Sequence, residues 1–312
     1  MKGQNDDAQP GCSTSAMAAH HRFAPTSFCP KRQAHPLEFT VPVSRNFQVY
    51  VASNEAFHDA AEKLIGIAFD LQNQRGRYLK EWNYQLAMQG RIEAAGLGDA
   101  IREGEIVLSF QTFQKSLFTD LLFDSMLLLE IKATQDLCPA DEAQLLQYLA
   151  LLGLRDGLLL NFGSPQVQKR FVSTLIPSDA RHQISVDSSR WSPDSEDAKE
   201  LATMFQLLIK DWGSGLKRSL YLEAVVHCMG GSEAVVQEVA VNDAKIQIGY
   251  MPLNMVGGTS AFTFMTKRPD SPGFEKSLQK LVDSTSLKNL HWINLYHQEL
   301  KLITLANRRW KR

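Results

Sequence analysis

An α/β architecture is expected of this 312-residue chain: a mixed central sheet flanked by helices, followed by a second α+β domain. Apolar residues recur at helical spacing from 56 to 73, at Phe57, Ala61, Leu64, Ile65, Ala68, Phe69 and Leu71. Three strand-like runs follow within 105–133. A helix with clear start and stop signals then separates them from a fourth short apolar run at 157–163. Three strands in a meander and then a helical crossover give a mixed sheet with helices packed over it.

A second helical pattern starts after Gly76, passes through Leu79, Trp82, Leu86 and Met88, and is expected to end near Gly90. "EIVLSFQ" (105–111) and "SLFTDLLF" (116–123) read as strands. "SMLLLEIKA" (125–133) is apolar enough for burial on both faces. Asp124 and Ser125 form a tight turn between the last two. "CPADEAQLLQYLALLG" has Pro139 in its first turn, acidic residues beside it and Gly153 as its stop. Residues 177–197, rich in Ser, Asp and Pro, read as a linker. Beyond it come a helix at 196–211, the break "WGSG", strands at 219–228, 244–250 and 260–266, a helix at 274–284 and a final hairpin. The expected division is a tail over 1–50, domains over 51–176 and 198–306, and a basic tail over 307–312.

Composition narrows the function. With 44% hydrophobic residues and a net charge of -1, the chain is not a globally basic nucleic-acid coat, although a local basic cleft is allowed. Cys12, Cys29, Cys138 and Cys228 lack the spacing of a disulfide framework or a zinc site, which makes a reducing cytoplasm the expected compartment. No apolar run reaches eighteen residues, so no membrane span is expected, and the N-terminal pattern is not that of a secretory signal. Residues 1 to about 45 are polar and should form a mobile tail, possible ligands His20, His21 and Cys29 included; an upstream start codon would account for part of it.

One feature of the apolar strands needs a cause. "FTDLLFDSMLLLEIKATQDL" (118–137) places Asp120, Glu130 and Lys132 in surroundings where charges are costly unless paired. Strand alternation puts Glu130 and Lys132 on one face with Ile131 opposite, and an antiparallel neighbour lets Asp120 share that face. Two converging carboxylates repel, and one would protonate. A divalent cation resolves this, since Mg²⁺ favours carboxylate, water and phosphate oxygens. A lysine beside it can orient or help deprotonate a water and offset charge on a phosphate. A surface Glu130–Lys132 pair on an edge strand is the plain alternative.

"GRYLKEWNY" (76–84), the run from Phe118 to Val172 and the helix before them resemble the GxxExxY family, a branch of the PD-(D/E)XK nuclease superfamily. The resemblance covers roughly residues 55–173. It is most specific in "LEIKA", "AQLLQYL" and "GLLLNFG". It implies a restriction-endonuclease-like core of order α-β-β-β-α-β and a nuclease that cleaves phosphodiester bonds of nucleic acid, DNA foremost, with Mg²⁺ or Mn²⁺. Asp120 matches the metal-binding aspartate, Glu130 and Lys132 the ExK pair, and Glu81 and Tyr84 the glutamate and tyrosine of the name motif. Metal would rest on Asp120, Glu130, Glu81 and the carbonyl of Ile131. Gln144 and Tyr148 form a QxxxY pair like that of helicase-associated nucleases, four apart on one helix face. Gln144 joins the catalytic set, while Tyr84 and Tyr148 would contact substrate. The family's motif has glycine where this chain has Tyr78. That departure leaves open a catalytically inactive nuclease-like module that binds nucleic acid or protein.

Other residues carry less. Lys169, Arg170 and Arg155 would suit phosphate contact or be scattered solvated charge. Asp124 and Asn161 read as turn and strand-end residues. His227 and Cys228, adjacent on an expected strand, would point apart. His291 and His297 sit in an aromatic hairpin of core type. If the site is real, Asp120 and Glu130 should lie within about 5 Å. They should perturb each other's ionisation, with Lys132 opposing, inside a concave and partly open pocket.

Overall fold

The computed structural model describes residues 41–244, 246–268 and 273–310, and the described residues fall in one compact unit. In chain order the elements are β1 (Val43–Arg45), α1 (Asn54–Arg75), α2 (Glu81–Ala94), β2 (Ala100–Phe110), β3 (Phe113–Phe123), β4 (Leu127–Lys132), α3 (Pro139–Leu152), β5 (Asp156–Asn161) and β6 (Gln168–Ser173). A 3-10 turn at Ala180–His182 leads to β7 (Ser185–Arg190), α4 (Glu196–Trp212), α5 (Arg218–Cys228), α6 (Ser232–Val235), β8 (Val236–Asp243) and β9 (Ile246–Val256). The remainder is β10 (Ser260–Met265), α7 (Phe274–Asp283), β11 (Asn289–Tyr296) and β12 (Glu299–Ala306). None of the described helices is long and apolar enough to cross a membrane.

Strands β1 to β6 form one six-stranded sheet in sequence order, and β7-β12-β11-β10-β9-β8 form a second. The first is the expected mixed sheet: β2, β3 and β4 meander antiparallel, and β4 pairs parallel with β5 after the α3 crossover. The β3–β4 turn is built on Asp124 and Ser125, at left-handed φ of 47° and 55°. Asp tolerates that region better than most residues, and the Asp124 N–H is held by the Asp99 carbonyl at 2.7 Å.

The two faces of the first sheet bury against different partners. Leu121, Phe123, Leu129, Ile131, Leu158 and Leu160 pack under α1 and α2. Leu122, Leu128 and Leu159 face α3, α4 and α5, whose other sides pack on Phe262, Phe264 and Ile293 of the second sheet. The middle helices thus give both sheets a common core. Trp212 ties the layers further, its indole N–H donating to the Ser109 carbonyl at 3.0 Å. Helix α7 covers the far face of the second sheet, on Leu290, Trp292 and Leu305.

Several local expectations change. Residues 219–228 form helix α5 and not a strand: Leu220, Tyr221, Ala224, Val225, Val226 and Cys228 are all buried between the sheets. Leu222 and Val226 widen the apolar stripe and blur the periodicity that separates helix from strand, while Glu223 and His227 stay exposed. His227 and Cys228 therefore lie about 100° apart on a helix, with His227 against the Phe113 ring. Helix α2 continues through Gly90 to Ala94, because buried Met88 and Ile92 outweigh the roughly 1 kcal/mol a helical glycine costs. The expected linker 177–197 contains β7, which pairs parallel with β12 and is an edge of the second sheet. Within the expected 1–50 tail, β1 pairs with β2 and Phe47 is buried. His20, His21 and Cys29 lie outside the described residues. The basic tail is anchored at its start: Asn307 donates to the carbonyls of Thr285 and Leu287, and Arg308 pairs with Asp283. Strands β6 and β8 are additional to the expected elements.

Candidate active site

Strand β4 carries the site, and its register decides the geometry. The β3–β4 ladder pairs Leu121 with Leu129, so one step further Asp120 comes opposite Glu130. The carboxylate of Asp120 accepts the Ile131 N–H at 2.7 Å, which ends the regular ladder and pins the side chain. Lys132, the last residue of β4, donates from Nζ to Glu130 Oε1 at 2.5 Å. All three side chains lie on the face toward α3, while Ile131 packs into the opposite core. In open α/β sheets this carboxyl end of a parallel strand is the usual place for ligands.

Glu81, the first residue of α2, reaches the cluster from the other layer, its Oε1 at 3.7 Å from Lys132 Nζ. A carboxylate at a helix N-terminus is also favoured by the helix dipole. From α3, Tyr148 senses the charges of Glu130, Asp120 and Lys132 and shares a hydrogen bond with Gln144. The QxxxY pair thus meets the cluster as its helical spacing implied.

Burial governs the electrostatics. Glu130 is 0% exposed, and its Oε2 has no hydrogen-bond partner. Desolvation pushes its carboxyl up to about 8, with Asp120 adding to the rise and Lys132 opposing it. Asp120 is pushed up to about 6, also mainly by burial, against the Ile131 N–H and Lys132. Burial alone would lower Lys132, but the charge and hydrogen bond of Glu130 outweigh it and raise the ammonium. Tyr148 is pushed up to about 12 by burial and by the two carboxylates. An orphaned carboxylate oxygen and a facing carboxylate, both reluctant to ionise without more positive charge, form a donor set that fits a hard divalent cation.

Two expectations about the site are corrected. The charged residues are more enclosed than an open pocket requires, with α3 and its Tyr148 packed over this face; Glu81, with 38% of its side chain exposed, is the open side. A polar cavity of about 360 Å³ at this end of the sheet is lined by Asp136, Leu137, Gln168, Lys169 and Arg170. Among the described residues no three His, Cys, Asp or Glu side chains converge as a metal-binding group, so Glu81 does not close a triad with Asp120 and Glu130.

Tyr84 does not face substrate. It is fully buried and stacked on Phe162, with ring centroids 4.3 Å apart, and its hydroxyl donates to the Gly76 carbonyl and accepts from Leu79 N. It fixes the loop that launches α2 and hence Glu81. Of the basic group, Arg170 is paired with Glu142, and Arg155 lies 3.6 Å from Asp156. Among the described residues, Lys169 is the member of the trio without an ion pair.

Asn161, expected to end a strand, does more. Paired in register with Lys132 and fully buried, it accepts from Thr134 N and Gly163 N and donates to Gln168. It thereby holds the chain leaving β4. Gly163 permits this: a Cβ there would stand 2.3 Å from the Thr134 carbonyl. Gln72 braces the same corner through the carbonyls of Phe162 and Ser164. A buried amide just after an apolar run is the signal that marked Asn161.

One comparison with known proteins bears on residues 58–173 of the chain. No curated protein matches it. The mixed α/β architecture of two six-stranded sheets flanked by helices is consistent with a PD-(D/E)XK nuclease fold plus a second α+β domain. Members of that superfamily generally hydrolyse phosphodiester bonds, usually with divalent metals. A family model described as the PD-(D/E)XK nuclease superfamily matches residues 58–173, the span that holds Glu81, Asp120, Glu130, Lys132, Gln144 and Tyr148.

Proposed function

We propose that the protein is a metal-dependent nuclease, hydrolysing phosphodiester bonds of nucleic acid, DNA foremost, and that it lies nearest the GxxExxY branch of the superfamily. The observation that carries this is the meeting of Asp120, Glu130 and Lys132 at the carboxyl end of β4, with Glu130 Oε2 left unpartnered. Asp120 and Glu130 would hold Mg²⁺ or Mn²⁺, with the Ile131 carbonyl available beside them and Glu81 at the entrance. Such an ion supplies positive charge to a phosphate oxygen and lowers the pKa of a water.

The chain's own residues do the remaining work. Lys132 uses its ammonium hydrogens to orient a water near the scissile phosphate and to offset the charge that builds on it. Glu130 holds that ammonium in place, and Glu81 draws it toward the exposed side. Gln144 and Tyr148 keep the inner wall polar at one point and exclude bulk water elsewhere. Tyr84 and Asn161 position, respectively, the helix start that carries Glu81 and the strand end that carries Lys132.

The test is Mg²⁺- or Mn²⁺-dependent cleavage of single- and double-stranded DNA by wild type and Lys132→Ala. Loss of cleavage in the variant, with fold retained by circular dichroism, is expected. Equal cleavage in both, or none with either metal, overturns the catalytic reading. The enclosure of Glu130 and the Tyr78 departure favour one other reading, a nuclease-like binding module without turnover. Calorimetric titration separates the two: metal binding that vanishes in Asp120→Asn supports the enzyme.

A further inference from the structure

The open side of the cluster leads onto an unusual stretch of surface. Residues 75–82 read "RGRYLKEW". Tyr78 is 87% exposed and Trp82 53% exposed, and they stand three residues before and one after Glu81, whose carboxylate contacts Lys132. Large aromatic rings are normally buried, because leaving them in water forfeits much of their apolar area. Here Trp82 has no ring or hydrogen-bond partner among the described residues. Tyr78 has one: the Arg77 guanidinium lies 5.2 Å from its ring centroid and donates to its hydroxyl at 3.0 Å. That contact holds the ring on the loop. Arg75, Arg77 and Lys80 flank the two rings along the sequence, and Glu81 is the one acid of the stretch.

Exposed aromatic rings between cations, continuous with a phosphodiesterase site, are what an unpaired nucleic-acid strand needs: each base offers a stacking face and each phosphate a negative charge. A duplex keeps its bases stacked on one another and offers none. We propose that Tyr78 and Trp82, with Arg75, Arg77 and Lys80, form a stacking platform that selects substrates with unpaired bases next to the scissile bond. The proposal rests on the nuclease reading for the chemistry, but its binding claim is separable from turnover. A strand stacked on Tyr78 and Trp82 would pass its phosphates over Lys80 and across Glu81 toward Lys132. The glycine the family's motif would place at 78 could not do this.

The experiment measures binding of a fluorescently labelled single-stranded oligothymidylate, and of an oligothymidylate–oligoadenylate duplex of equal length, to the full chain in EDTA, where no cleavage confuses the reading. Wild type is compared with Tyr78→Ala/Trp82→Ala and with Tyr78→Phe/Trp82→Phe. Stacking lost at two positions should weaken single-strand binding by about 30-fold or more in the alanine pair, whereas the phenylalanine pair stays within about threefold of wild type. Duplex binding should be weaker than single-strand binding and change little in either. Unchanged single-strand affinity in the alanine pair overturns the platform, as does an equal loss on duplex. So does a change of oligomeric state in the alanine pair with single-strand binding intact, which would assign the rings to a protein contact. If wild type shows no cleavage with either metal yet single-strand binding follows this pattern, the nuclease reading fails and the platform stands.

Discussion

Replacing Glu130 by glutamine should make the protein more stable at pH 8 and change it little at pH 4.5. The carboxyl is fully buried and is pushed from 4.5 to about 8, mainly by desolvation. Its folded pKa lies above its unfolded one, so between those values the folded state binds more protons. The stability that protonated Glu130 provides is then complete below about pH 4.5 and is lost as pH rises through about 8. At 1.36 kcal/mol per pH unit, that loss is on the order of 4 kcal/mol. Glutamine cannot ionise and still offers Lys132 an acceptor in place of Oε1. Lys132 does lose a counter-charge, so a net gain on the order of 2 kcal/mol at pH 8 is expected. Urea denaturation in EDTA at several pH values from 4.5 to 8 measures it. The wild-type and variant curves should diverge as pH rises. Adding Mg²⁺ at pH 8 should recover about 2.7 kcal/mol for wild type at a hundredfold excess over its dissociation constant, and far less for the variant. Parallel curves, or a variant less stable at pH 8, would refute both the enclosure of Glu130 and its linkage to a cation.

Three further outcomes are expected. Tyr84→Phe keeps the Phe162 stack but loses the hydrogen bond to Gly76 and the one from Leu79, costing about 1–2 kcal/mol in denaturant titration. Its cleavage rate should fall more than its affinity for substrate, because Glu81 is displaced. Gly163→Ala forces a Cβ against the Thr134 carbonyl and should cost about 3 kcal/mol or more, measured the same way. Arg181→Met removes a buried guanidinium that donates to the carbonyls of Ala150, Trp212 and Ser214 at the ends of α3 and α4. With those carbonyls orphaned, a loss of about 3 kcal/mol is expected, and a variant as stable as wild type would show that water replaces the guanidinium.

Features that depend on neighbours within one element are legible in the residue order. Alternation along 127–132 placed Glu130 and Lys132 on one face and Ile131 on the other, and Pro139 and Gly153 bounded α3. The i, i+4 spacing of Gln144 and Tyr148 gave them a common face, and the Asp124–Ser125 turn set the register that brings Asp120 opposite Glu130. Tertiary structure decided what depends on distant partners. Local pattern does not tell that 219–228 is a helix, because Leu222 and Val226 widen the apolar stripe and blur its period, although Glu223 and His227 stay exposed. Nothing local tells that Tyr84 is sealed against Phe162, since that ring arrives from 78 residues further on. The enclosure of Glu130 is the clearest case. Whether a strand carboxylate meets water depends on which layer packs over it, and here that layer is shared with a second sheet assembled from residues 185–306. The strand pattern could name the charged residues, but only long-range packing could set the desolvation that raises them.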